Sequence, residues 1–294
     1  MMKDLVTIGL PFYNSEKTIE LAIKSVLMQN HKNFELIIIN DGSNDNSDLI
    51  VRNFLLLDSR IHYYNFKDNQ GLVYRLNQII ELANSNFIAR MDSDDIMVQN
   101  RIEKQLNILL NDNTIDVVAT GIYTIDEFNN PIGIRDIKPI NNTIKSILEK
   151  KFIIHPTVMA RKEWYSKNKY LNYHRAEDLE LWIRTHKYTK YYRIEEPLYL
   201  YREGNVSISN YLKTNFTFIK LLKLHKNINV NFSYKFKLIF LTHLKSIIFY
   251  FFGFFHLQYL LVKNRSIPLD FESKQYVKDI INNIDNYKIS CEKT

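Results

Sequence analysis

The chain has 294 residues, 46% apolar and 24% charged, with a net charge of +7; these are the proportions of an ordinary globular protein able to bury a substantial core. The charge is uneven, since from Tyr211 onward 13 Lys or Arg face 5 Asp or Glu, so this last stretch carries the whole excess. A single cysteine, Cys291, excludes an internal disulfide and suits a reducing compartment, and the opening residues lack the long apolar region of a signal peptide, so a cytosolic location is expected.

Leu5 to Leu10 reads as a buried strand ended by Pro11-Phe12-Tyr13-Asn14. Ser15 is placed to cap a helix whose apolar residues Ile19, Ile23, Val26 and Leu27 recur at helical spacing. Phe34 to Ile39 is apolar without alternation, which predicts a parallel strand covered on both faces. The turn Asn40-Asp41-Gly42-Ser43 then leads into a helix from about Ser47 to Leu57. A strand at Ile61 to Asn65, a helix at Leu72 to Ala83 and a strand at Phe87 to Met91 follow. This alternation predicts an α/β fold with a Rossmann-like, mostly parallel central sheet flanked by helices. Val117 to Thr124 continues the sheet, and Phe128 to Ile132 reads as a hairpin turn. Ile153 to Met159 is expected to be a further strand, Glu177 to His186 a short helix, and Tyr191 to Ile194 and Leu198 to Tyr201 two short strands. From about Ser209 the chain turns helical, basic and aromatic, so a division into 1–207 and a C-terminal helical region 208–294 is expected.

The stretch Arg90-Met91-Asp92-Ser93-Asp94-Asp95 falls at a strand's carboxyl end, where open α/β sheets bind ligands. Its three carboxylates repel one another by about 4 kcal/mol per pair at roughly 4 Å and an effective dielectric near 20. A hard divalent cation with oxygen ligands, completed by a diphosphate, would relieve this; capping of the next helix by Asp94 or Asp95 is the competing use. Asp41 ends the second strand, where a carboxylate can accept a uracil ring N–H or a ribose hydroxyl, although Asn-Asp-Gly-Ser is also a good turn. No G-x-G-x-x-G cradle follows the first strand, which argues against a dinucleotide site.

Taken together, Pro11-Phe12-Tyr13-Asn14 with Glu16, Asn40-Asp41-Gly42-Ser43, Asn69-Gln70-Gly71-Leu72 with Arg75-Leu76-Asn77, Asp92-Ser93-Asp94-Asp95 and Ala176-Glu177-Asp178 resemble the successive motifs of family 2 glycosyltransferases of the GT-A fold. The resemblance covers roughly residues 4–205. It implies a nucleotide-binding half, 1–97, and an acceptor and catalytic-base half, 98–207. By this resemblance Pro11, Tyr13, Glu16 and Asp41 surround the nucleoside of a UDP-sugar, with Gly71 and Arg75 in the adjoining motif. Asp92 and Asp94 form the Asp-x-Asp pair, on the donor and on a manganese or magnesium ion. Asp178 is the base that takes the acceptor hydroxyl's proton, and Glu177 is its support or alternative. Asp95 is left as a helix cap. His155 is read as a metal ligand, a phosphate contact or a packed histidine; Arg202 as a diphosphate contact or a solvated loop residue; Trp182 as core.

Residues 246–262 are the most apolar run, shorter than the roughly 20 residues a bilayer crossing needs and interrupted by His256 and Gln258. Lys235, Lys237 and Lys245 lie on one side and Lys263 and Arg265 on the other. An interfacial amphipathic element at 235–265 on an anionic membrane is therefore expected, with packing on the catalytic domain or on a second subunit as the alternative. The expected enzyme is an inverting, metal-dependent glycosyltransferase that moves a hexose or N-acetylhexosamine from a nucleotide-sugar to a glycan or lipid-linked glycan. It would serve polysaccharide, O-antigen or lipooligosaccharide synthesis as a peripheral protein on the inner face of the cytoplasmic membrane; oligomer formation is left open. A sugar-phosphate nucleotidyltransferase would need a glycine-rich basic loop after the first strand, and a haloacid-dehalogenase-type phosphatase would carry its Asp-x-Asp on the opening strand. A non-enzymatic basic membrane-binding or nucleic-acid-binding protein would leave the acidic motifs unused, and no nucleic acid partner is expected.

Overall fold

The computed structural model describes residues 4–150, 152–173, 175–203, 207–255, 257, 261 and 265–288. Parallel strands β1 (Val6–Phe12), β2 (Phe34–Asp41), β3 (Ile61–Phe66) and β4 (Phe87–Arg90) are joined by α1 (Ile19–Leu27), α2 (Ser47–Leu55) and α3 (Leu72–Leu82). The chain continues through β5 (Ile96–Met97), α4 (Arg101–Asn111), β6 (Val117–Ile125), β7 (Pro131–Arg135), α5 (Ile144–Leu148), β8 (Met159–Arg161), α6 (Lys162–Lys167), α7 (Glu177–Thr185) and β9 (Tyr191–Arg202). Among the described residues the chain goes on through α8 (Ile208–Leu224), α9 (Phe232–Phe254), the short β10 (Ile267–Pro268) and the helix named here α10 (Phe271–Asp285).

The sheet runs β10-β7-β6-β8-β4-β1-β2-β3, with β9 pairing to both β6 and β5. β8 lies antiparallel between β4 and β6, so the sheet is mixed beyond the first four strands. The unbroken apolar run of β2 has its reason here. Leu36 and Ile38 face the core under α1 and α4, while Ile37 and Ile39 face the core formed with α3. Gly9 lets that helix lie against β1, because a Cβ there would stand 2.5 Å from Ile79 Cγ2.

The residues after 207 build onto the same two faces. Phe218, Leu221 and Leu222 of α8 join Leu181 and Trp182 of α7 in one core, and Val277, Ile281 and Ile284 of α10 pack with Leu198 and Leu200 of β9. β10 extends the sheet edge beside β7.

Four sequence expectations change. The segment 153–159 is not a strand: His155–Thr157 forms a 3-10 turn before β8, since Pro156 lacks an N–H and Thr157 Oγ1 donates back to Ile154 O at 2.7 Å. The two short strands at 191–201 are one, β9, with its register shifting where Pro197 meets Gly121. Ser15 does not cap α1 with its side chain; its hydroxyl pairs with Ser93 at 2.8 Å and its carbonyl accepts the amides of Thr18 and Ile19. The apolar helix begins at Phe232, well before 246, and its 23 residues make it long and apolar enough, by length and composition, to cross a membrane. Only 17% of its apolar window is buried. Residues 1–3, Gly204, Asn205, His256, Gln258, Lys263 and Cys291, on which other expectations rest, lie outside the described residues.

Candidate active site

β4 ends in Arg90, whose side chain is 4% exposed. Its carbonyl is held by Arg101 Nη2 of α4, which donates at 3.0 Å also to Pro156 O, so the strand end and the 155–157 turn are fixed together. Arg90 Nη2 pairs with Asp92 Oδ1 at 2.8 Å, while its Nε and Nη1 are buried without a partner. Burial works against its charge, yet Asp92, Tyr170 and Tyr199 raise its pKa overall.

Asp95 does not cap α4, which starts six residues later behind Asn100. Its Oδ1 accepts the Arg202 amide at 2.7 Å, tying the acidic loop to the end of β9, and its Oδ2 is buried without a partner. One oxygen from each of Asp92, Asp94 and Asp95 lies within 4.8 Å of the others. Burial first, and Asp92 second, push Asp94 up to about 6; burial, then Asp94 and Asp92, push Asp95 well above the carboxylate range. Three hard oxygen donors, one of them orphaned in the interior, fit a divalent cation, whose charge would reverse both shifts.

Pro11, Tyr13, Asp41, Arg75, Asp92 and Asp94 line a common cavity of about 170 Å³. Asp41 is held from three sides, by Arg75 Nε at 2.6 Å, the Gln70 amide at 2.9 Å and the Gly71 amide at 2.8 Å. Gly71 can present that amide because it sits at φ 86°, which a side chain would strain. Arg75, 1% exposed, spends its remaining nitrogens on Asp68 O and Gln78. The Gly71 and Arg75 motif thus fixes Asp41. Glu16 is not part of the cavity lining; its Oε2 accepts from Asn46 N and Nδ2 and steadies the start of α2.

A second cavity of about 690 Å³ is lined by Arg90, Asp92, Lys150, Glu177 and Asp178, with Trp182 in its wall. Asp92 and Leu72 line both cavities, which makes them one cleft. Asp178 Oδ1 accepts the Leu179 amide at 2.7 Å. Burial raises the pKa of Asp178, against the pull of that amide, Arg90 and Lys150; burial and then Asp178 push Glu177 up to about 7.

His155 is packed. It is 6% exposed, its Nε2 is 2.7 Å from Tyr170 Oη, its ring lies 6.0 Å from Trp182, and burial, then Arg90, hold its pKa well below the usual value. Among the described residues the group able to hold a metal is Asp92, Asp94 and Asp95, without His155. Arg202 donates from Nε to Asp94 O, from Nη1 to Asp126 O and from Nη2 to Asn129 Oδ1, each at 2.7 Å. These bonds tie Arg202 to the acidic loop and to the 126–129 turn, so it is not a free solvated loop residue. Trp182, 2% exposed, belongs to the core as expected.

Arg90 is the residue that sequence reasoning passed over, although a charged residue closing the apolar strand Phe87-Ile88-Ala89 was a signal. Lys150 carried no signal in its neighbourhood, and Asp95 was read as a cap because the two-residue β5 was too short to see.

Residues 7–169 match the Glycosyl transferase family 2 profile. The chain is 34% identical over 186 residues to the O-antigen biosynthesis glycosyltransferase WbnJ of Escherichia coli, covering 62% of this chain and 71% of that one. It is 33% identical to the UDP-Glc:alpha-D-GlcNAc-diphosphoundecaprenol beta-1,3-glucosyltransferase WfgD of Escherichia coli, covering 61% and 68%. Among solved structures, S. aureus TarS 1-349 in complex with UDP-GlcNAc superposes with a TM-score of 0.58 at 16% identity, covering 80% of this chain and 70% of that one, a likeness of fold.

Proposed function

Because the chain belongs to glycosyl transferase family 2 and is a glycosyltransferase, we propose that it is an inverting, metal-dependent enzyme moving a sugar from a UDP-sugar to a hydroxyl of a lipid-linked glycan. The pathway would be surface-polysaccharide or O-antigen assembly. One observation carries the reading: Asp92 lines both a nucleoside-sized cavity with Asp41 and Asp94 and a larger one with Glu177 and Asp178. A donor lying across Asp92 would present its sugar to an acceptor beside Asp178.

In that arrangement Tyr13 and the Pro11 backbone flank the base, and Asp41, held rigid by Arg75, faces the base or ribose. Asp92, Asp94 and Asp95 would hold a manganese or magnesium ion, which when bound supplies Lewis-acid neutralisation of charge developing on the departing UDP. Asp178 takes the proton of the attacking hydroxyl, and Glu177, pushed up to about 7 by burial and by Asp178, stands beside it as support or alternative base. Arg90 keeps these acids tolerable in one cleft. The names of WbnJ and WfgD support the glycan class and a lipid diphosphate acceptor, and the ligand of TarS supports a UDP-sugar. The exposed residues Phe236, Phe240, Leu244, Ile247 and Phe251 form one stripe of α9, with Lys235 and Lys237 at its start, which supports peripheral attachment to an anionic cytoplasmic face.

The test is UDP release from candidate UDP-sugars with and without manganese. Asp178→Asn should lose about 10²–10⁴-fold in kcat, and Asp94→Asn should abolish the manganese response. Near-normal transfer by both variants would end the proposal.

A further inference from the structure

We propose that His155 is a specificity-determining residue for the donor sugar, its Nδ1 hydrogen-bonding one hydroxyl of the hexose that lies in the cleft between Asp92 and Asp178. The inference rests on the glycosyl-transfer reading and deepens it, by naming a residue that reads the sugar itself.

His155 lines the 690 Å³ cavity together with Asp92 and Asp178. One ring nitrogen is already spent, since Nε2 lies 2.7 Å from Tyr170 Oη. Tyr170 is itself fixed, because its amide donates to Asn77 Oδ1 at 3.0 Å and its carbonyl accepts from Asn77 Nδ2 at 2.9 Å. Asn77, in the same motif as Arg75, thereby holds the imidazole through Tyr170. The ring also meets Trp182 edge-on, at an interplanar angle of 85°. Nδ1 is left over. Among the described residues it has no hydrogen-bond partner, yet it is not one of the orphaned atoms sealed in the interior, as Arg90 Nε and Trp182 Nε1 are, so it opens on the cavity.

Three uses for such a nitrogen can be separated. As a metal ligand it would have to join the acids, and Asp92, Asp94 and Asp95 group without it. A phosphate contact calls for a charged ring, and burial, with Arg90 nearby, keeps this one neutral. A neutral imidazole offers a donor or an acceptor at Nδ1, according to how Tyr170 shares its proton. A sugar hydroxyl does both, so it matches either tautomer. The donor sugar is the one in reach, because Arg101 Nη2 donates to Arg90 O and Pro156 O alike. That ties the 155–157 turn to the strand end leading into Asp92, the residue shared with the nucleoside cavity. A site built to bond a hydroxyl rejects a sugar that lacks it there.

The probe is the best bound of UDP-glucose, UDP-galactose and UDP-N-acetylglucosamine, titrated calorimetrically with manganese into the full chain, with UDP as the sugar-free control. The ratio of the two affinities is read, so a partly unfolded preparation cancels. Two amides divide the imidazole, glutamine placing a nitrogen near the Nε2 position and asparagine near Nδ1. His155→Gln keeps the Tyr170 bond and should weaken the UDP-sugar about three- to tenfold, with UDP changed less than twofold. His155→Asn gives up the Tyr170 bond and should melt lower than His155→Gln, yet bind the UDP-sugar within twofold of the parent. A purely structural role predicts the reverse, with affinity following melting temperature, and that order would overturn the inference. So would parent-like UDP-sugar affinity in His155→Gln, or an equal loss for UDP, which would move His155 to the nucleotide. If the parent binds neither UDP nor any of the three UDP-sugars, the glycosyl-transfer reading falls and takes this inference with it; if the parent binds them and His155→Gln is unchanged, this inference alone falls.

Discussion

Arg90→Met tests whether one buried cation holds the acidic cleft together. The guanidinium is 2.8 Å from Asp92 Oδ1; at an effective dielectric near 20 that contact has a gross attraction of about 6 kcal/mol. Much of this is offset, because Arg90 is buried with two nitrogens unpartnered, and methionine relieves that desolvation. Breaking a buried pair usually costs about 3–5 kcal/mol. The Asp92 side chain is 27% exposed and can regain water, so the loss should sit below that range, at about 2 kcal/mol. For a chain of this size this is a fall in melting temperature of roughly 4–8 °C. Asp92→Asn in the same background should recover at least half, since it removes the charge left unpaired, and urea unfolding of the four-member cycle reads the coupling. If Arg90→Met costs under about 0.5 kcal/mol, or if the two changes add without coupling, the assignment of Arg90 as the cleft's counter-charge is wrong.

Glu177, pushed up to about 7 by burial and Asp178, should give the transfer rate a limb that rises with pH and levels above about 7; a rate flat from pH 5 to 8 would contradict the assigned acid pair. The same shift acts on stability with the opposite sense. The folded Glu177 keeps a proton that the unfolded chain releases near 4.5, so stability present at low pH falls between about 4.5 and 7, by on the order of 3 kcal/mol at most. Glu177→Gln should reduce that slope in urea titrations at several pH values, leaving the part contributed by the raised Asp94, Asp95 and Asp178. Gly9→Ala drives a methyl into Ile79 Cγ2 and should cost about 1–3 kcal/mol; a smaller cost of the same change in an Ile79→Ala background, which lacks that methyl, would confirm the contact, and an unchanged melting temperature would refute it. The Phe240→Ser/Phe251→Ser pair should lower flotation with anionic liposomes at low salt without lowering stability, and equal flotation of variant and parent would remove α9 from the attachment surface.

The first four strands, their helices and the order of the acidic motifs could be read from the residues, because each is a local pattern. Apolar runs of strand length alternate with helical spacing, and three acids within four residues at a strand's end have few uses. Boundaries failed where a long-range contact outweighed local propensity. Pro197 against Gly121 bends β9 without dividing it, and Pro156 turns the segment before β8.

The roles inside the cleft divide in the same way. That Asp41, Asp92, Asp94 and Asp178 are candidate site residues is legible in the sequence from the ordered set of motifs, Asp178 through the family resemblance that set carries. That Arg75 is spent on Asp41 and that Arg202 and Asp95 brace the acidic loop depends on segments far apart in the chain. Charge is a property of a residue, but a charge's partner is a property of the fold, because Coulomb attraction acts across space and is indifferent to separation along the sequence.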